Sequence, residues 1–343
     1  MIGYFVRRIL LIIPTFIGIT LIAFVVMHFV PGGPIERQIM AYKMAAASEG
    51  GGGASLGQFG TEIPPDALEE MRKFYGFDKP VHIRYLNWLW NVVRLDLGQS
   101  YTYQDPVWDV IKARFPVSIF LGLTGFVLSY LVCVPLGVMK AVHHGSKFDV
   151  ATSALVFLGY AVPGWALGTA LLVLFGGGSF WNVFPLGGFR PDNWEYLSLW
   201  GKITGQLSHM FLPVCCYMVG AFATETILTK NSLMENLGQD YVRTAFAKGL
   251  PERRVIFLHA LRNSLIPLVT GLGHVISLVL AGSFLIERVF NIDGMGYLGY
   301  TAVLQRDYPV ALGILVLSSM LMLVGNILSD ILYALVDPRI RFK

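Results

Sequence analysis

ILLIIPTFIGITLIAFVVMHFV, Ile9 to Val30, carries no Asp, Glu, Lys or Arg and decides the fold class. At about 1.5 Å of rise per residue, a helix of this length covers the roughly 30 Å of bilayer hydrocarbon. A helix satisfies its own backbone polar groups where water is absent, so a helix is the element expected there. Arg7 and Arg8 precede the block, and PGGP, Pro31 to Pro34, ends it. The run is longer than the apolar core of a secretory signal, and no small-residue cleavage site follows it, so the expectation is a retained anchor.

Working outward, five more apolar blocks appear at Val117 to Met139, Ala151 to Phe175, Met210 to Thr229, Leu265 to Ile286 and Val310 to Leu335. The chain as a whole is 55% hydrophobic and 14% charged, with a mean hydropathy of +0.59, outside the range of ordinary soluble domains. The expectation is an all-α membrane protein of six transmembrane helices. Its formal net charge of +4 is spread over segments that flank the blocks, which excludes a basic nucleic-acid-binding face. Cys133, Cys215 and Cys216 all fall inside blocks and read as packing residues, with neither a disulfide framework nor metal-ligand spacing.

Six spans put both termini on one side, and Lys plus Arg counts choose that side. The 1–8 tail has two, the 140–150 loop two, the 230–263 loop six and the 336–343 tail three, against two each in the 176–209 and 288–308 loops. Thirteen against four predicts cytoplasmic termini and a cytoplasmic 230–263 loop in a multi-pass membrane protein.

The long external segment, 31–116, has two parts. Residues 45–60 are rich in Ala, Gly and Ser and are expected to form a flexible insertion. Residues 64–108 look helical: Asp66 to Tyr75 reads as a capped amphipathic helix, and Gly76 to Pro80 as a turn. Val81 to Leu95 sets Tyr85, Trp88, Leu89 and Val92 on one helical face. Tyr85, Trp88, Trp90 and Trp108 offer large amphipathic contacts, to a protein partner or to lipid headgroups. Residues 117–335 then form a five-helix core.

The 230–263 loop reads as helix, stop, helix. Gly249 suits the left-handed residue that ends one helix, and Pro251 suits the first turn of the next. Ala245 and Ala247 beside Tyr241 and Phe246 make a face suited to docking on another protein. The stretches YVRTAFAKG, Tyr241 to Gly249, and HALRN, His259 to Asn263, resemble the signature loop of binding-protein-dependent permeases in the dipeptide and oligopeptide branch of the ABC importers. The resemblance continues through GMGYLGY at Gly294 to Tyr300, RDYP at Arg306 to Pro309 and DPRIR at Asp337 to Arg341. PGGP and YGFDKP, Tyr75 to Pro80, extend it to the N-terminal half. Within that branch the chain is similar to the type linked to oligopeptide and microcin C uptake.

The resemblance implies a type I importer permease that pairs with a homologous second permease, two ATPase domains or subunits and a periplasmic peptide-binding protein. It implies that Tyr241, Arg243, Ala245, Lys248 and Gly249 form the coupling contact with the ATPase, and that ATP and Mg sit on partner subunits. The broad family writes Glu-Ala-Ala where this chain has Arg243-Thr244-Ala245, so no acidic contact carries over. The same machinery serves dipeptides, nickel chelates and other small solutes in sibling systems, and those cargoes stay open. An ion-coupled secondary transporter is a different class; it would call for inverted halves and more buried ionisable residues.

No G-x-x-x-x-G-K-[ST] sequence is present, so a phosphate cradle and catalysis of ATP hydrolysis are not expected in this chain, nor is a bound cofactor. A literal G-x-G-x-x-G does occur at Gly294, Gly296 and Gly299, but no strand precedes it, and a Gly-rich re-entrant turn is the expectation. Glu225, Asn326 and Asp330 are polar residues inside blocks, where a charge costs about 2.5 to 3.5 kcal/mol at the helix centre. They line either the bundle interior or the solute path. His274 has no second ligand at i+4 and reads as a buried hydrogen-bonding residue.

Overall fold

The computed structural model describes residues 2–29, 39, 69–70, 78–177, 180–271 and 282–336. Among these the structure is helical, and extended pairing is limited to isolated bridges between Gln99 and Pro106 and between Gly176 and Phe184. The principal helices are α1 (Ile2–Phe29), α2 (Val81–Val93), α3 (Val107–Val142), α4 (Lys147–Ala161), α5 (Gly164–Phe175) and α6 (Leu199–Leu237). They continue with α7 (Asp240–Ala247), α8 (Glu252–Arg254), α9 (Leu261–Ser264), α10 (Ile266–Gly271), α11 (Phe284–Val289), α12 (Met295–Leu304) and α13 (Tyr308–Val336).

Four of these helices are long and apolar enough to cross a membrane: Val6–Met27 in α1, α3, α6, and Tyr308–Leu332 in α13. Among the described residues, α4 and α5 taken together pass the same test as a bent pair, and counting that pair as one span gives five candidate crossings. The block Ala151 to Phe175, expected as one helix, is thus two helices bent by 96° at Val162 and Pro163. Proline denies the α conformation to the residue before it, and Val162 is accordingly extended at φ −92°, ψ 119°. The block Leu265 to Ile286 lies partly outside the described residues, as does His274. So do 31–34, the 45–60 insertion and most of 64–77, where Glu69 and Glu70 are helical.

At about 1.5 Å per residue, the 36 residues of α3 and 39 of α6 reach about 54 and about 58 Å, well beyond the hydrocarbon thickness. The α6 helix therefore outruns its apolar block at both ends. Lys230 to Leu237, expected as loop, are a helical stem.

The described chain divides into two compact units. The larger gathers Met1–Ile12, Arg114–Leu298 and Ser318–Lys343. Its main core is built from Leu121, Met210, Leu212, Cys216, Ile286, Phe290 and Ile292. Cys216 packs as expected: its carbonyl would lie 2.9 Å from a Cβ at Gly164, and its sulfur 3.3 Å from one at Gly168. The described cysteines are all free thiols.

The second unit gathers Ile13–Ala113 and Gly299–Leu317. Here α2 lies along the second half of α1. Tyr85 and Val92 are buried and Trp88 and Leu89 half-buried, the face that the spacing predicts. The Tyr85 hydroxyl donates to Ile17 O at 3.2 Å and meets Thr20 Oγ1 at 3.1 Å, while the Tyr85 and Trp88 rings pack on Phe24. Asp307, from RDYP, is fully buried in the same unit. It accepts from the Ser100 hydroxyl and from the backbone N–H groups of Tyr101 at 3.1 Å and Thr102 at 3.0 Å. That contact pins the loop before α3 to the turn before α13.

Candidate functional site

The elbow after α6 has the geometry its sequence predicts at Gly249. Gly249 adopts φ +78°, its N–H reaches Phe246 O at 2.9 Å, and the Leu250 N–H reaches Ala245 O at 3.4 Å. These two bonds are the paired closure of a left-handed helix end, and Leu250 drops its side chain onto the apolar cluster below. Pro251 stands one residue earlier than expected, as the N-cap of α8 at φ −65°. From Glu252 the chain stays helical through a wide π turn at Val255–Ala260 into α9.

The elbow sits on a firm seat. Val242 and Ala245 of α7 pack with Val255, Ile256 and Ala260 of the second arm against Val138 and Ala141 of α3 and Leu233 of α6. Ser232 Oγ adds a bond to Ser264 O at 2.9 Å. Ala245, expected on the docking face, therefore faces inward at 7% exposure: a small residue is what lets α7 lie close to its seat. The surface left outward is Tyr241, Arg243, Thr244, Phe246, Ala247, Lys248 and Gly249. Tyr241 is oriented by Asn236 Oδ1 at 2.7 Å, and Arg243 meets Asp240 at 3.4 Å in an exposed pair.

Behind the seat lies an ion cluster that sequence reading missed. Asp149, at the start of α4, takes both carboxylate oxygens to Lys230 Nζ at 2.8 and 2.7 Å. Lys140 Nζ lies 3.2 Å from the same carboxylate and donates to Asp149 O, Thr152 Oγ1 and Ser153 Oγ. Its side chain is 1% exposed. The hydrogen bonds from Lys230, with those from the Gly145 N–H and Lys140, hold the Asp149 carboxyl below the usual carboxylate range against the opposing effect of burial. Lys140 lies between the seat residues Val138 and Ala141, and Lys230 one turn before Leu233. The cluster therefore ties α3, α4 and α6 together just behind the elbow.

A second buried carboxylate explains the first glycine of the G-x-G-x-x-G pattern. Glu287 of α11 is fully buried and accepts from the Tyr297 N–H at 2.6 Å, the Ser283 N–H at 3.2 Å and the Tyr217 hydroxyl at 3.2 Å. A Cβ at Gly294 would sit 2.6 Å from its carboxyl carbon, and one at Gly282 would sit against Oε1. A Cβ at Gly296 would come within 2.6 Å of Phe284 N. No strand precedes the pattern among the described residues 282–293; Gly294 closes a turn, and Gly296 and Gly299 belong to α12. Gly294 makes room for a carboxylate of this chain and Gly296 for its backbone, the opposite of a phosphate cradle.

The other predicted polar residues do not converge. Glu225 Oε2 is buried without a hydrogen-bond partner among the described residues, and Lys230 turns from it to Asp149. Asp330 Oδ2 stands 2.6 Å from the Arg8 guanidinium, close enough for an ion pair but out of hydrogen-bond alignment. Asn326 is half-buried one turn away. In the other unit Trp90 is 57% and Trp108 41% exposed, with the Arg94 guanidinium 4.7 Å above the Trp90 ring.

The chain's kinship agrees with the elbow. Residues 133–342 match the family model described as "Binding-protein-dependent transport system inner membrane component", and residues 53–122 match the N-terminal model of the same system. The chain is 42% identical to the peptidoglycan transport system permease protein YejB of Agrobacterium fabrum, over 99% of this chain and 98% of that one. It is 41% identical to the inner membrane ABC transporter permease protein YejB of Escherichia coli O157:H7, over 99% of each. Identity to the oligopeptide transport system permease protein AppB of Bacillus subtilis is 35% over the full length of both.

Proposed function

The chain belongs to the family of binding-protein-dependent inner-membrane transport components, and from that membership and the seated elbow we propose a peptide importer whose permease motion is driven through α7. The chain is a permease subunit of such an importer. In the proposed assembly it pairs with a homologous permease, ATPase subunits that carry Mg and ATP, and a periplasmic binding protein. With six spans in all, both termini and the elbow lie in the cytoplasm of the proposed assembly. The long segment between the first two spans then lies on the periplasmic side, where the binding protein docks.

The observation that carries the reading is the elbow itself. Its outward residues Tyr241, Arg243, Phe246 and Lys248 stand on a buried, ion-backed seat. A lever needs one face free to receive a push and another rigid enough to pass it on as a two-state movement. Arg243, Lys248 and Gly249 supply the first, while Ala245 serves the second by letting α7 seat. Catalysis belongs to the ATPase partners in this reading.

The cargo follows the named relatives. An oligopeptide carrier is among them, which supports short peptides, and the resemblance of the signature loop extends the proposal to peptide-like antibiotics such as microcin C. The Agrobacterium relative's name supports a second reading, peptides released from cell-wall peptidoglycan. Reconstitution of this chain with its partners decides both. Labelled oligopeptide should enter vesicles only with ATP and binding protein present, and competition by cell-wall peptides would select the second cargo. Uptake that proceeds without ATP hydrolysis overturns the importer reading.

A further inference from the structure

Helix α2 has more apolar surface than α1 can cover. At about 100° per residue, Tyr85, Trp88, Leu89 and Val92 form the stripe already described against α1. Ile83, Leu86, Trp90 and Val93 form another stripe at steps of three, four and three residues, turned away from the first. They are 39%, 60%, 57% and 66% exposed. Arg84, Asn87, Asn91 and Arg94 follow the same steps along the remaining edge. A helix with water all around its outer surface would carry polar residues on both of those lines. Here only one is polar.

The position of α2 identifies what covers the apolar line. Its mooring points, Ile17, Thr20 and Phe24, all lie within the candidate span Val6–Met27. That span leaves Leu21, Ile22 and Val26 exposed at 42%, 66% and 56%, a surface suited to acyl chains. The Ile83 to Val93 line belongs to a helix resting on that span, so it continues the same apolar coat. At its end the Arg94 guanidinium lies over the Trp90 ring, the pairing of an aromatic at headgroup depth with a cation that reaches toward phosphate.

We propose that α2 is an interfacial helix whose Ile83, Leu86, Trp90 and Val93 line is embedded in the lipid acyl chains, with the Arg84, Asn87, Asn91 and Arg94 edge among headgroups and water. This assigns the outward half of α2 to lipid, while the inward half holds α1. Such helices bury an apolar face to a depth of about 5 to 10 Å at the boundary of headgroups and chains.

The test places a diazirine-bearing residue at Leu86 in the full chain, assembled with its partner subunits in vesicles of phosphatidylethanolamine and phosphatidylglycerol. After irradiation, mass spectrometry should find phospholipid adducts at Leu86, as at a control probe on Ile22, and several-fold fewer from a probe at Asn91. A probe at Trp90 repeats the measurement if the Leu86 substitution hinders assembly. Adducts to the second permease or to the binding protein would overturn the proposal, and so would lipid labelling equal at Leu86 and Asn91.

Discussion

Two glycine-bearing turns in this permease solve opposite problems. At Gly249 the backbone needs a left-handed conformation, φ +78°, while nothing lies within 4 Å of where a Cβ would be. At Gly294 and Gly296 no left-handed φ is required, and the space itself is taken, by the Glu287 carboxylate in one case and the Ser283–Phe284 backbone in the other. The carboxylates near these turns differ in the same spirit. Glu287 is held mainly by backbone N–H groups of its own segment, Asp149 by lysines brought from two other helices. The first turn is a left-handed helix end with open surroundings, and the second is a packed core.

If that contrast is right, the largest effect belongs to the filled turn. Gly296→Val would drive a side chain into backbone atoms that have no rotamer to yield. Overpacking of this kind costs about 1 to 3 kcal/mol and occasionally more. The expected result is loss of folded protein from the membrane, read as the amount of detergent-extracted monodisperse complex. A normal yield would erase the contrast.

Next comes Glu287→Leu, which leaves the Tyr297 N–H and the Tyr217 hydroxyl without their acceptor. A buried unsatisfied donor costs about 1 to 3 kcal/mol. The thermal midpoint of the complex should fall clearly, and Glu287→Gln, which keeps one acceptor oxygen, should fall less. Equal falls would show that the negative charge matters more than the acceptor geometry.

The open turn should behave differently in kind. Gly249→Val forces a β-branched residue into a left-handed conformation at about 1 to 2 kcal/mol, and it meets no neighbour. The protein should assemble, while peptide uptake per ATP hydrolysed drops. Gly249→Asn should retain more coupling, since Asn tolerates that conformation. Full coupling in the valine variant would remove Gly249 from the coupling contact.

Asp149 gives a smaller, pH-dependent effect. Its folded carboxyl titrates below its ordinary value, so its stabilising contribution is fully present above that value and is lost as pH falls through the folded one. The stability gap between the native chain and Asp149→Asn should be constant above about pH 5 and shrink below about pH 4. A gap that widens with acid would assign the pH response to another group.

Much of the fold was legible because membrane spans announce themselves in composition. The Gly249 turn was legible for a related reason: its stop signal is local. The break at Pro163 was hidden inside an unbroken apolar run, and hydropathy alone does not register a 96° bend. Asp149, Glu287 and Asp307 stayed hidden because their partners come from far away in sequence. Asp149 meets Lys230 across 81 residues and Glu287 meets Tyr217 across 70. The one available clue to Glu287 was the glycine pair itself, whose spacing looked like a nucleotide motif. Ala245 taught a related lesson: small residues in a signature loop mark the side that packs closely on its own chain as readily as the side that meets a partner.

The central claim is that the outward face of α7 receives the ATPase while its inward face is fixed to the permease. Photo-crosslinking from a probe at Phe246, in the assembled complex cycling with ATP, tests it directly. The account predicts a covalent adduct between this chain and an ATPase subunit, formed at Phe246 and not at a probe on Ile22. An importer that takes up peptide normally yet yields no ATPase adduct from Phe246 would contradict it.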